Sequence, residues 1–187
     1  MAQPDVYTLP DDLPVPEDDG ACDHLPGERM PAIRLPATSG ERLDLGEVTG
    51  EGMTVLFVYP RTGKPGEPLP PGWDLIPGAR GCTPQSCGFR DLHGEFAERK
   101  ARVIGLSAQP PEDQFEFAVR VHLQFPLLSD PSLELAEALG LPTFEVAGMR
   151  LYKRVTLVIR DREIVKAFYP VFPPDRNAAD VLAWLSG

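Results

Sequence analysis

The chain has 187 residues, of which 42% are hydrophobic, and a formal net charge of −10 at pH 7. This length and composition predict one soluble globular domain, and the negative charge argues against a nucleic-acid partner and against docking on anionic lipid. No run of about 18 apolar residues occurs, so we expect no membrane-spanning helix.

Residues 1–24 are rich in proline and aspartate and have little apolar periodicity. This pattern predicts an extended acidic arm ahead of a domain over residues 25–187. The segment lacks the basic start and apolar core of a secretory signal, so we expect a cytoplasmic protein. The arm contains Cys22, which we interpret as a non-catalytic thiol, with an accessory redox role as the alternative.

Patterns of strands and helices alternate through the rest of the chain. Residues 32–45 predict a β-hairpin, and the apolar run 53–59 predicts a buried central strand. The proline- and glycine-rich residues 61–81 predict an inserted loop without regular structure. The later predicted elements are helix 83–100, strand 101–108, helix 111–122, strand 125–130, helix 131–141, strands 153–161 and 163–169, and helix 178–186. Their order predicts an α/β fold with a central mixed β-sheet flanked by helices.

Cys82 and Cys87, with four residues between them, lie at the start of the helix that follows the loop. Thr83 fits the N-cap of this helix and Pro84 fits its first position. Unpaired N–H groups and the helix dipole at this end favour a thiolate, which makes Cys82 a candidate nucleophile. An intact helix holds the two Cα atoms too far apart for a disulfide, so a bond between them requires the helix start to unwind.

The residues alone leave several chemistries open for this pair. A metal site could use Cys82, Cys87 and His93, but a fourth ligand is missing. The arginine of a phosphatase-type cysteine loop is replaced by Gly88, and the spacing is not the C-x-x-C of thioredoxins. A redox pair fits better than these sites, and two ordinary core cysteines are the remaining alternative.

At these residues the chain resembles the peroxiredoxins, and most closely their branch called peroxiredoxin Q or bacterioferritin comigratory protein. The resemblance covers residues 25–187 and rests on an ordered set of segments: FVYP (57–60), GCTPQSCGFRD (81–91), VIGLSA (103–108), FPLLSD (125–130) and KRVTLVI (153–159). It implies a thioredoxin-like fold and thiol-dependent reduction of hydrogen peroxide and organic hydroperoxides. It also implies that no metal, flavin or haem takes part.

The resemblance further implies a role for each cysteine of the pair. Cys82 would be the peroxidatic cysteine, and its sulfenic acid would condense with the resolving Cys87 to an intramolecular disulfide. A thioredoxin-like reductant would then restore both thiols. Arg154 matches the family arginine that holds the thiolate and orients the peroxide. Because a close pair needs no second chain for resolution, we expect a monomer.

The chain departs from the family immediately before Cys82. The family carries Pro-x-x-x-Thr-x-x-Cys, whereas Leu75 and Ala79 occupy the proline and threonine positions here. Three other residues are candidates for binding the peroxide: Thr62, Thr83 and Arg80. The missing threonine leaves two alternative functions open. One is a thiol-disulfide redox sensor or binding module with weak peroxidase turnover, and the other is an oxidoreductase acting on protein disulfides.

Overall fold

A computed structural model describes residues 5–187, so the first four residues of the predicted arm lie outside the described residues. The strands are β1 Arg34–Pro36, β2 Arg42–Asp44, β3 Met53–Val58, β4 Ala101–Ser107, β5 Leu127–Ser129, β6 Thr143–Val146, β7 Met149–Tyr152, β8 Val155–Arg160 and β9 Glu163–Phe168. The α-helices are α1 Leu45–Val48, α2 Cys82–Asp91, α3 His93–Glu98, α4 Pro111–Arg120, α5 Glu134–Leu139 and α6 Asn177–Ser186. None of the helices within residues 5–187 is long and apolar enough to cross a membrane.

A five-stranded sheet in the order β5-β4-β3-β8-β9 forms the centre of the molecule. The strands β3, β4 and β5 pair in parallel, whereas β8 pairs antiparallel with both β3 and β9. Two antiparallel hairpins stand beside it, β1 with β2 and β6 with β7. The predicted α/β fold with a mixed sheet and an N-terminal hairpin is confirmed, although the β6–β7 hairpin was not predicted.

Strand β3 is buried on both faces of the sheet. Its successive side chains point to opposite sides. Leu56 and Val58 belong to a core that includes α5 and the end of the arm. Val55 and Phe57 belong to a second core against α2, α3, α4 and α6. Burial on both faces explains why this strand reads as an unbroken apolar run.

The predicted helix 83–100 is two helices, so this prediction is wrong in detail. Helix α2 begins at Cys82 with Gly81 as its N-cap, which places Thr83 inside the first turn and not at the cap. Leu92, with φ −99° and ψ 10°, separates α2 from α3. Since position 92 holds neither proline nor glycine, the break has no local sequence signal.

The inserted loop contains one short regular element. A 3₁₀ turn covers Trp73–Leu75, closed by a hydrogen bond from Leu75 N to Gly72 O at 3.0 Å. The prediction that residues 61–81 lack all regular structure is therefore wrong at this turn. Trp73 is buried and packs near Phe144 of the β6–β7 hairpin, with 6.1 Å between the ring centroids.

The arm lies along the domain in its described part, residues 5–24. Val6 and Cys22 are buried. Arg120 donates to Tyr7 Oη at 2.9 Å, and Tyr169 Oη donates to Asp19 Oδ1 at 2.9 Å. These contacts tie the arm to the end of α4 and to the residue that follows β9. The domain boundary at residue 24 stays a prediction.

Candidate active site

Cys82 is the first residue of α2 and only 2% exposed. Gly81 before it has φ 109°, and a Cβ atom there would lie 2.4 Å from Pro174 Cγ. Glycine is therefore the residue that lets the chain enter the helix at this point. Gly81 also supplies no side-chain cap. The positive end of the helix dipole therefore acts at the residue that carries the sulfur.

The guanidinium of Arg154 lies directly against this sulfur. Arg154 Nη2 is 3.3 Å from Cys82 Sγ. The same nitrogen is within 3.2 Å of the carbonyl oxygens of Gly78, Ala79 and Arg80. The loop before α2 therefore wraps its backbone around the guanidinium and positions it beside the sulfur.

Arg154 is a buried cation without a carboxylate partner. It is 3% exposed, and no ion pair engages it within residues 5–187. A buried charge is costly unless an opposite charge compensates it. The ionisable group in contact with it is the Cys82 thiol, so the positive charge of Arg154 acts directly on this sulfur.

A chain of buried polar side chains fixes the other side of Arg154. Arg154 Nη1 donates to Gln85 Oε1 at 2.5 Å, and Gln85 Nε2 donates to Asn177 Oδ1 at 2.9 Å. Thr156 Oγ1 donates to the same Asn177 oxygen at 2.7 Å. This chain links α2, β8 and α6, and each of its hydrogen bonds limits the rotation of the guanidinium. Sequence reasoning missed Gln85, Asn177 and Thr156.

Tyr59 is another residue near the sulfur that sequence reasoning missed. It follows β3, is fully buried, and donates from Oη to Gln114 Oε1 at 2.6 Å. Burial raises the pKa of Tyr59 well above its usual value, and the charge of Cys82 raises this pKa further. Tyr59 therefore stays a neutral phenol in the same core cluster as Cys82.

Cys87 lies five residues further along α2 and is half-buried. Burial raises the pKa of its thiol, so Cys87 is protonated at neutral pH. Five residues of α-helix advance the chain by about 7.5 Å, beyond the roughly 7 Å over which two Cα atoms can be bridged. Both cysteines are free thiols. Cys87 borders a groove whose opposite wall is residues 7–11 and Leu13 of the arm.

The three predicted substrate-binding residues occupy different surroundings. Thr83 is buried beside Cys82 in the first turn of α2. The backbone N and Oγ1 of Thr62 both donate to Gln109 Oε1, at 2.9 and 3.1 Å. Arg80 is buried and donates to Asp74 Oδ1 at 3.0 Å and to Asp5 O at 2.6 Å. The structure thus brings Thr83 together with Cys82, while Thr62 and Arg80 are held by other partners.

Cys22 lies in the other core cluster, on the opposite side of the sheet. Burial, together with the negative charges of Asp19, Asp18 and Asp23, raises the pKa of Cys22 to about 12. Within residues 5–187, no three His, Cys, Asp or Glu side chains lie together as a metal site would require.

Comparisons with known proteins agree in both sequence and structure. The family model described as Redoxin matches residues 25–182. The chain is 30% identical over 156 residues to peroxiredoxin Bcp of Bacillus subtilis strain 168, covering 81% of this chain and 89% of that protein. It is 29% identical over 160 residues to the chloroplastic peroxiredoxin Q of Populus jackii, covering 85% of this chain and 67% of that protein. The crystal structure of peroxidoxin BcpB from Mycobacterium tuberculosis superposes with a TM-score of 0.70 at 32% identity, covering 86% of this chain and 96% of that one.

Proposed function

Because this chain belongs to the peroxiredoxin family and is a thiol-dependent peroxidase, we propose that Cys82 is its peroxidatic cysteine and Cys87 its resolving cysteine. The observation that carries this proposal is the contact of 3.3 Å between Arg154 Nη2 and Cys82 Sγ. Cys82 is the cysteine that faces a buried and otherwise uncompensated cation, so negative charge on its sulfur is stabilised during the reaction.

In the first step the Cys82 thiolate attacks the terminal oxygen of a hydroperoxide, ROOH. The S–O bond forms with the sulfur electron pair while the O–O bond breaks. Cys82 becomes a sulfenic acid, and the leaving RO⁻ takes a proton from solvent and departs as ROH. Arg154 compensates the negative charge as it moves from sulfur to the leaving oxygen.

In the second step the Cys87 thiol attacks the sulfenic sulfur of Cys82. The S–S bond forms, and the S–O bond breaks with release of water. Helix geometry separates the two residues too far for this bond, so the first turns of α2 must unwind before it can form. Gly81 is the natural pivot because it already has a left-handed backbone conformation.

Peroxiredoxins act with thioredoxin-like reductants, and we propose such a dithiol as the electron donor here. Its two thiols become a disulfide as both cysteines of this chain return to thiols. We further propose that the protein works as a monomer in the cytoplasm. The support is that both cysteines of the cycle lie on one helix and that all three thiols of the chain are free.

Thr83 is the hydroxyl that we propose for contact with the peroxide, in place of the threonine that Ala79 replaces. Its support is its position next to Cys82 in a buried first turn. Arg80 instead ties the loop before α2 to Asp74 and to the arm. The assignments of Thr62 and Arg80 as substrate-binding residues stay predictions.

A stopped-flow experiment tests this proposal. Reduced protein is mixed with hydrogen peroxide while tryptophan fluorescence is followed, and Cys82→Ser and Cys87→Ser are run beside it. We expect wild type to end as an intramolecular disulfide, Cys87→Ser to stop at the sulfenic acid, and Cys82→Ser to be inert. If wild type reacts no faster than a free thiol in solution, the proposed roles of Cys82 and Cys87 in a peroxidase cycle are refuted, and a disulfide switch or binding module is the remaining assignment.

A further inference from the structure

A cavity of about 430 Å³ opens beside Arg154. This volume is within the range of small-molecule sites. Its lining is mainly apolar, with side chains that include Val15, Pro16, Ile76, Phe144 and Val171. The cavity is therefore suited to an apolar organic group.

The inner end of this cavity is shared with the surroundings of Cys82. Arg154 and Gly78 both line the cavity. Arg154 Nη2 is 3.3 Å from Cys82 Sγ and 3.2 Å from Gly78 O. A molecule whose oxygens meet the guanidinium therefore has its organic part beside this cavity.

One wall of the cavity comes from the arm, which precedes the region matched by the family model. That region starts at residue 25, whereas the wall consists of Val15, Pro16, Glu17 and Asp19. The wall is held in place by Tyr169 Oη, which donates to Asp19 Oδ1 at 2.9 Å, and by Lys153 Nζ, 3.5 Å from Asp19 Oδ2. The cavity thus depends on a segment outside the matched family domain.

The wall carries both carboxylates of the cavity lining, Glu17 and Asp19, whereas the two cations of the lining, Lys153 and Arg154, belong to the domain. Asp19 compensates Lys153, and Arg154 faces the Cys82 sulfur. Glu17 has no hydrogen-bond or ion-pair partner within the described residues 5–187. A substrate carboxylate in this cavity would meet the Glu17 charge, because Lys153 is paired with Asp19 and Arg154 is taken up by the sulfur and the peroxide oxygens.

We propose that residues 15–19 of the arm are the specificity wall of the peroxide site, favouring uncharged organic hydroperoxides with a compact apolar group over those that carry a carboxylate. This inference rests on the proposed function. Hydrogen peroxide serves as the internal reference because it is too small to contact the wall.

The apolar part is tested with Val15→Asn. Val15 is 64% exposed, so its replacement leaves the core intact. The second-order rate constant for oxidation of Cys82 is measured by stopped-flow fluorescence with hydrogen peroxide and with cumene hydroperoxide. We expect the constant for cumene hydroperoxide to fall about fivefold and that for hydrogen peroxide to stay unchanged. The matched control is Val119→Asn, since Val119 is a 57% exposed valine on α4, outside this cavity.

The charge part is tested with Glu17→Lys and linoleic acid hydroperoxide. We expect the rate constant for this anionic peroxide, relative to cumene hydroperoxide, to rise about fivefold at low salt, with the gain shrinking at about 1 M salt. The matched control is Asp12→Lys, which changes the net charge equally from an exposed arm position outside the cavity. If both variants raise the rate-constant ratio equally, the gain comes from the general charge of the protein, and the proposed specificity wall is refuted.

The two proposals fail in distinguishable ways. If wild type reduces all three peroxides and neither Val15→Asn nor Glu17→Lys changes their ratios, the specificity wall is refuted while the peroxidase cycle stands. If wild type reacts with none of the peroxides faster than a free thiol, the proposed peroxidase cycle is refuted. The specificity wall is then refuted as well, because it rests on that cycle.

Discussion

Cys82 and Cys22 are almost equally buried, at 2% and 4% exposure, but their electrostatic surroundings are opposite. Cys82 lies at a helix start, 3.3 Å from the guanidinium of Arg154. Cys22 lies in an apolar core beside aspartates, and burial with these charges raises its pKa to about 12. Burial by itself would make both thiols inert. The difference between the two surroundings is a single cation, and the proposed function assigns the reactive role to the cysteine that contacts it.

The largest expected effect comes from exchanging the two cysteines for serine. We expect Cys82→Ser to lower the rate of hydrogen peroxide consumption by at least about 10³-fold, because the nucleophile is lost. Cys22→Ser should stay within about twofold of wild type, since Cys22 is a neutral thiol on the other side of the sheet. A comparable loss in both variants, measured in the same peroxide assay, would contradict the contrast between the two sites.

Removal of the Arg154 charge should make Cys82 react more slowly with hydrogen peroxide while the nucleophile itself is kept. Arg154→Met keeps an apolar stem but deletes the charge beside Cys82 Sγ. We expect the second-order rate constant with hydrogen peroxide to fall about 10² to 10³-fold, the size of effect seen when one charge-stabilising donor is removed. Circular dichroism checks that the variant is folded. A decrease of less than about threefold would mean that Arg154 does not support the thiolate.

A smaller effect is expected from giving Arg154 a competing anion. Gln85 accepts a hydrogen bond from Arg154 Nη1 at 2.5 Å, so Gln85→Glu places a carboxylate on the guanidinium. We expect a roughly tenfold slower reaction with hydrogen peroxide, because the carboxylate now compensates the cation that faces the Cys82 sulfur.

Gln85→Leu is the matched control, since it removes the hydrogen bond without adding a charge. It should slow the reaction less than Gln85→Glu does. If both variants slow the reaction equally, the added charge has no effect and Gln85 acts only through its hydrogen bond and its packing.

The smallest expected effect concerns stability at high pH. The pKa of Cys22 is raised from 9.0 to about 12 in the folded protein, so folding favours its protonated form. This contribution is present below about pH 9 and is lost as pH rises toward about 12. Between pH 7 and about pH 10.5, the urea midpoint of wild type should therefore decrease more than that of Cys22→Ala. Tyr152 and Tyr169 also have raised pKa values, but both proteins contain them, and the comparison cancels most of their contribution. A parallel decrease in the two proteins would contradict the surroundings described for Cys22.

The sheet and the cysteine pair could be predicted from sequence because their signals are local. Strand β3 is an unbroken apolar run, and Cys82 follows a glycine at a helix start. The chain that fixes Arg154 could not be predicted, because it joins Gln85 to Asn177 across 92 positions. An amide side chain on a helix is ordinary until its buried partner is known. The position of the arm was also unpredictable, since its anchors are scattered polar contacts such as Arg80 to Asp5 O.

The most direct test of the central claim is the rate at which iodoacetamide, a small uncharged electrophile, alkylates Cys82. The rate constant is measured in a Cys22→Ser, Cys87→Ser double variant, with Arg154 present or replaced by methionine. The account predicts alkylation at least about tenfold faster when Arg154 is present, because its charge lies 3.3 Å from the sulfur. Equal alkylation rates in the two proteins would contradict the claim that Arg154 makes Cys82 the reactive cysteine.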